Sequence, residues 1–248
     1  MPTGDIALLA ALIFAAAAIY SSVGHAGASG YIAAMALFGL PPAIMRPTAL
    51  TLNILVASLS TYRWNGAGLV NWNALLPLAV TSIPAAFIGG VIELPGVWYR
   101  ILIGIVLLLA AFKLFFQPRE NAPGGDPSAG VPWVPGMLAG GVVGMLSGLT
   151  GTGGGIFLSP LLLLFGWAGA RQTSGITAPF ILVNSAAGLA GNLLVLRSLP
   201  PELPYLVIAA LLGAVVGTQV GIKWASGVML QRLLAVVLVV AALKFLLV

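Results

Sequence analysis

The sequence predicts an all-α, polytopic transmembrane protein built from two inverted repeats, and three observations lead there. The first is composition: 60% of the 248 residues are hydrophobic and 6% are charged, with mean hydropathy +1.11. Soluble domains carry about 25% charged residues, so most of this surface must face lipid. The second is the length of the apolar runs, which approach the roughly 20 residues that a spanning helix needs. The third is that the same succession of runs and glycine-rich breaks occurs twice.

Residues 1–5 carry no Lys or Arg, so the first run reads as a retained helix rather than a cleaved leader. Punctuation by Gly, Pro and charge divides the first half into runs at 5–23, 31–40, 44–62, 72–92 and 97–116. The stretch 117–132 is hydrophilic, with Arg119, Glu120 and Asp126 among Pro and Gly, and reads as a linker. The second half holds runs at 133–149, 156–165, 173–196, 203–224 and 228–248. The expected organisation is therefore repeat 1 over 1–116, the linker, and repeat 2 over 133–248.

Gly24, Gly27 and Gly39 recur 127 residues later as Gly151, Gly154 and Gly166. The Ala110-Ala111-Phe112-Lys113 stretch recurs as Ala241-Ala242-Leu243-Lys244, 131 residues later. Such self-similarity marks an internal duplication. Parity then sets the symmetry. In each half the first two runs return the chain to its starting side and the next three carry it across, so the second half enters inverted. Inverted repeats with interrupted segments at matching positions are a transporter signature. Six of the ten basic residues fall on the linker side and four on the other. The positive-inside rule thus puts the linker in the cytoplasm and both termini outside.

Several classes are disfavoured. With no cysteine there is no disulfide framework or thiolate site. The net charge of +5 comes from scattered residues at run ends, not from a basic run, which argues against nucleic acid. One histidine and no carboxylate inside an apolar run leave no enzyme constellation, no metal site and no call for a cofactor. Gly151-Thr152-Gly153-Gly154-Gly155 is not a phosphate loop, because Ile156-Phe157 stands where Lys-Ser/Thr would follow. The six tryptophans lie near run ends, as an interfacial belt expects.

The breaks carry the functional expectation. Freed backbone groups in lipid must be packed in protein or line a cavity. The short helix after each break points its N–H groups and positive dipole end at that spot, which suits an anion. Candidate binding residues are Gly24, His25 and Gly27 in the first break and Gly151, Thr152, Gly153, Gly154 and Gly155 in the second. The competing reading is that these glycines serve close helix packing. His25, the single histidine, could hold an anion or a coupling proton, or satisfy backbone in the break. Beyond the short helices lie Arg46, Thr48, Arg171, Gln172, Thr173 and Ser174. The arginines suit anion guidance or headgroup anchoring, and the hydroxyls suit caps of the next helix. Asn53 and Asn184 lie inside apolar runs, where an amide lines a cavity or bonds across helices.

The Gly151–Gly155 break, Pro160-Leu161 and Ala170-Arg171-Gln172-Thr173-Ser174 together resemble the sulfite exporter TauE/SafE family of membrane permeases. The first copy is more degenerate, with Gly24-His25-Ala26-Gly27-Ala28 for the glycine run and Ala33 in the place of Pro160. The resemblance covers nearly the whole chain. It implies transport of sulfite, organosulfonates or related small sulfur anions across the cytoplasmic membrane of a prokaryote. The reading is a secondary transporter working by alternating access, driven by a proton or Na⁺ gradient, with the bilayer as its other partner and oligomerisation open. The alternatives are a cation or metal permease and a non-transporting membrane scaffold.

Overall fold

The computed structural model describes residues 3–92, 108, 111–112, 115, 130–193 and 199–247. Most of these residues are helical, with no strand among them. In chain order the helices are α1 (Thr3–Ser22), α2 (Ala28–Leu37), α3 (Pro42–Gly66), α4 (Trp72–Val91), α5 (Trp133–Thr150), α6 (Gly155–Leu164), α7 (Ala170–Leu193), α8 (Leu203–Gln219) and α9 (Gly227–Leu247). A π turn, Val220–Trp224, ends α8. Six helices among the described residues are long and apolar enough to cross a membrane: α1, α3, α4, α5, α7 and α8. The chain is thus a multi-pass membrane protein. Most of the expected run at 97–116 and of the linker at 117–132 lies outside the described residues.

Helix ends are set by local chemistry. Asn71 caps α4, its side-chain oxygen accepting from Ala74 N–H at 3.1 Å. Gly169 precedes α7, and its N–H donates to Gln172 Oε1 at 3.2 Å, the backward half of a capping box. Gly151 ends α5 in the left-handed region at φ 71°, its N–H bonded to Ser147 O.

The central pair is α3 and α7, which pack on each other. Around them α4 lies along α5, and α1 lies along α8. The first helix of each half therefore packs on the fourth helix of the other. Glycine permits both contacts. A Cβ added at Gly140, Gly144 or Gly148 of α5 would run into the carbonyl oxygens of Leu78, Ser82 and Ala86 of α4. At Gly213, Gly217 and Gly221 it would meet the carbonyls of Phe14, Ala18 and Ser22. Lipid supplies no hydrophobic drive between apolar helices, so backbone approach of this kind contributes much of the association.

Two expectations change. Thr48, Thr173 and Ser174 do not cap helices, because α3 and α7 begin earlier, at Pro42 and Ala170. Thr48 and Ser174 instead donate to Ile44 O at 2.7 Å and Ala170 O at 3.2 Å within their own helices. Trp64 is fully buried, not interfacial, whereas Trp72, Trp133 and Trp224 are exposed.

The α4–α5 contact is tested by comparing Gly144→Ala with Gly141→Ala, whose Cβ would stand 3.8 Å from Thr81 Cβ. The Gly144 variant should unfold earlier on heating in detergent, by about 1–3 kcal/mol as overpacked interiors do. The Gly141 variant should stay within about 0.5 kcal/mol of wild type.

Candidate functional site

Both predicted breaks are present. In the first, residues 23–27 separate α1 from α2, with Gly24 at φ 75° and Gly27 at φ 114°. In the second, residues 151–154 separate α5 from α6, with Gly151, Gly153 and Gly154 at φ 71°, 76° and 81°. These left-handed conformations interrupt the helix within four or five residues, and a Cβ opposes them by about 1–2 kcal/mol each. The N–H groups at the start of α2 and α6 fall outside the intrahelical ladder, as at any helix start.

Tertiary packing brings the breaks together. The His25 ring lies against the start of α6, with Cδ2 2.9 Å from the place a Gly155 Cβ would take. Its Nε2 is 3.2 Å from Ser159 Oγ on α6, and Ser159 Oγ is 2.9 Å from Thr177 Oγ1 on α7. Its Nδ1 lies 3.0 Å from Val23 O. A carbonyl can only accept, so Nδ1 carries a hydrogen. In the neutral ring Nε2 then accepts from Ser159, which accepts from Thr177. One directed chain thus runs from α7 through α6 into the first break. The wall behind it is Tyr20, edge-on to His25 at 6.5 Å between centroids and accepting from Ser29 Oγ at 2.7 Å. The Tyr31 hydroxyl donates to Ala26 O.

Each break also abuts the central helix of the other half. Gly24 packs on the backbone of Ser174, and Gly151 packs on Arg46 Cγ. Gly153 sits against Asn53 and Ser185, where a Cβ would be 2.6 Å from Asn53 Nδ2 and 2.7 Å from Ser185 Oγ. Asn53 Nδ2 donates to Thr152 O and to Ser185 Oγ, both at 3.3 Å. Asn184 Nδ2 donates to Phe180 O at 2.8 Å and to Ser82 Oγ at 3.1 Å. The Oδ1 atoms of Asn53 and Asn184, and the hydroxyls of Ser147 and Thr173, are buried without a hydrogen-bond partner. Each such atom left unpaired costs about 1–3 kcal/mol. Thr152 Oγ1 pairs with Thr150 Oγ1 at 2.7 Å.

Among the expected site residues, Gly24, His25, Gly27, Thr48, Asn53, Thr173, Ser174, Asn184 and all of 151–155 are buried. Arg171 and Gln172 are half-buried and turned to other work. Arg171 donates to Ile222 O at 3.2 Å and Ala225 O at 2.6 Å, at the end of α8. Sequence reasoning missed Tyr20, Ser147, Ser159, Thr177 and Ser185. A search for hydroxyls one turn from each break would have found Tyr20, Ser147 and Ser159; Thr177 and Ser185 need the tertiary fold.

This fold and this centre define a class, polytopic helical membrane proteins with paired broken helices at the core. The chain belongs to the sulfite exporter TauE/SafE family, whose model matches residues 9–245. It is similar to the probable membrane transporter protein y4hK of Sinorhizobium fredii, 38% identical over 239 residues. That match covers 96% of this chain and 97% of the relative. No solved structure matches.

Gly153→Ala should open the second break, because it combines a left-handed backbone with contact on Asn53 and Ser185. Hydrogen exchange over residues 150–156 should rise well above wild type. Gly39→Ala shares a left-handed φ of 69° but has nothing within 4 Å. It should lose only the backbone preference, about 1–2 kcal/mol, with exchange at the second break unchanged.

Proposed function

We propose that the protein is a secondary transporter of a small anion, of the sulfite or organosulfonate class, in the cytoplasmic membrane of a prokaryote. The observation that carries this reading is the meeting of the two breaks through His25 and Gly155. It sets the first break against the N–H-rich start of α6, and discontinuous transporter helices use such starts for anionic groups. The family membership supports a transporter, and the family's name supports the sulfur anion. The N–H groups of 153–155 and of the first break would donate to the anion, and Thr173, Ser174, Thr48, Asn53 and Asn184 would complete the pocket. The reciprocal packing of the halves supports a duplication of 1–116 and 133–248 around residues 117–132, and as inverted repeats these would work by alternating access.

A second reading rests on the unpartnered Oδ1 atoms of Asn53 and Asn184. Amide oxygens accept but do not donate, which suits Na⁺, either as cargo or as the coupling ion of an anion transporter.

The test is flux of labelled sulfite and sulfoacetate into proteoliposomes of the purified protein, with a pH gradient, a Na⁺ gradient or neither. Saturable sulfite flux is expected, and Gly154→Leu should abolish it because a side chain there meets Phe180 and Ser147 within 3.2 Å. His25→Ala should remove dependence on the pH gradient if His25 carries the coupling proton. Na⁺ uptake competed by other cations, with no sulfur anion moved, would replace the anion reading with the second one.

A further inference from the structure

We infer that Trp64 binds the transported anion, its indole N–H donating to an oxyanion oxygen at the first-break end of the site. The inference rests on the anion reading above and narrows where the anion is held. Trp64 lies in the last turn of α3 and is fully buried. Its Nε1 has no hydrogen-bond partner among the described residues. A buried indole N–H ordinarily finds a partner, because a bare one forfeits the bond it made with water. This group can donate but cannot accept. What it lacks is an acceptor, and an anion is the acceptor that an anion transporter brings.

The fold sets Trp64 beside the first break. Asn53, Ala57, Ser60 and Trp64 are all buried and follow one another by three or four residues, so they share one face of α3. Asn53 donates to Ser185 Oγ, so that face meets α7. Leu50 Cδ2 lies 3.8 Å from where a Gly188 Cβ would stand, and Leu69 O occupies the place of a Gly175 Cβ. Residue numbers rise along one helix as they fall along the other. The two helices are therefore antiparallel, and the end of α3 adjoins the start of α7. There the Ser174 backbone packs on Gly24 of the first break. Asn53, at the second break, is about 16 Å away along α3.

Other unpaired groups gather at the same end. Ser60 Oγ lies one turn before Trp64, and Thr173 Oγ1 lies in the first turn of α7. Ser21 Oγ lies at the end of α1, where Ser21 O accepts from Gly24 N–H at 3.2 Å. All three residues are buried, and these hydroxyls have no partner among the described residues. A hydroxyl can donate or accept, so it suits either sign of charge. The Trp64 N–H suits only a negative one. The unpartnered acceptor of α3, Asn53 Oδ1, lies at the other break.

The experiment reads KM and maximal rate for labelled sulfite and methanesulfonate in proteoliposomes of the full-length protein. Thermal unfolding in detergent, with and without methanesulfonate, is read beside it. Wild type is compared with Trp64→Phe, with Trp64 replaced by benzothienylalanine, and with Trp133→Phe at an exposed tryptophan. Benzothienylalanine keeps the shape of indole and puts sulfur in place of the N–H. With it, KM for both anions should rise about tenfold or more, as for a lost bond to a charged group, with a smaller change in maximal rate. The stabilisation that methanesulfonate gives wild type should shrink in parallel. Without anion this protein should melt no lower than wild type, because the lost donor had no partner. Folded Trp64→Phe should raise KM likewise, and Trp133→Phe should stay within about twofold of wild type. A wild-type KM in the benzothienylalanine protein overturns the inference while leaving anion transport standing. So does melting well below wild type without anion, which would mark the N–H as a structural tie. If Trp64→Phe does not fold, the benzothienylalanine protein decides alone. Wild-type protein that moves neither anion would sink the anion reading itself.

Discussion

Backbone N–H and C=O groups cannot be left bare in hydrocarbon, and a helix interrupted in mid-membrane exposes several of each. The two breaks of this protein exist because other helices enclose them. Gly24 lies against Ser174 and Gly151 against Arg46, so each break is sealed by the central helix of the opposite half. Each half also packs on its own break, as Tyr31 does on Gly27 and Phe180 on Gly154. These contacts tie each break to α3 or α7, the pair at the centre.

The arginines belong to the same constraint. Arg46 and Arg171 carry the charges that lie nearest the centre in sequence, and each turns its guanidinium to helix-end carbonyls. A guanidinium is weakly hydrated and always charged, which suits this role better than an ammonium. Arg63 does similar work at the periphery, donating to Val215 O at 2.8 Å and to Gln219 Oε1 at 2.6 Å. These three arginines thus close helix ends, and the groups that meet at the breaks are backbone, amides, hydroxyls and one imidazole.

Glycine serves two purposes that composition alone cannot separate. Along α5 and α8 it lets backbones touch, through Gly140, Gly144 and Gly148 on one and Gly213 and Gly217 on the other, with Gly221 in the π turn that follows. In the breaks it turns the chain through left-handed conformations. At Gly153 and Gly155 both purposes coincide, since Asn53, Ile181 and His25 crowd the same space. Packing and binding are not exclusive at such a place, because close approach is what brings polar side chains onto freed backbone.

The class of fold, the apolar helices, the positions of both breaks and the buried standing of His25, Asn53 and Asn184 were legible in the sequence. Each depends on local hydropathy or on glycine, whose effects reach only a few residues along the chain. The family was legible too, through the order and spacing of the second break and the Arg171 stretch. What only the tertiary structure decided was partnership: His25 with Ser159 and Thr177, Asn53 with Ser185, Arg46 with the ends of α4 and α5, Arg171 with α8, and Trp64 in the interior. Those contacts join residues 18 to 134 positions apart. In a chain that is apolar almost throughout, hydropathy does not say which face of a helix meets which neighbour; backbone approach and hydrogen bonding choose it.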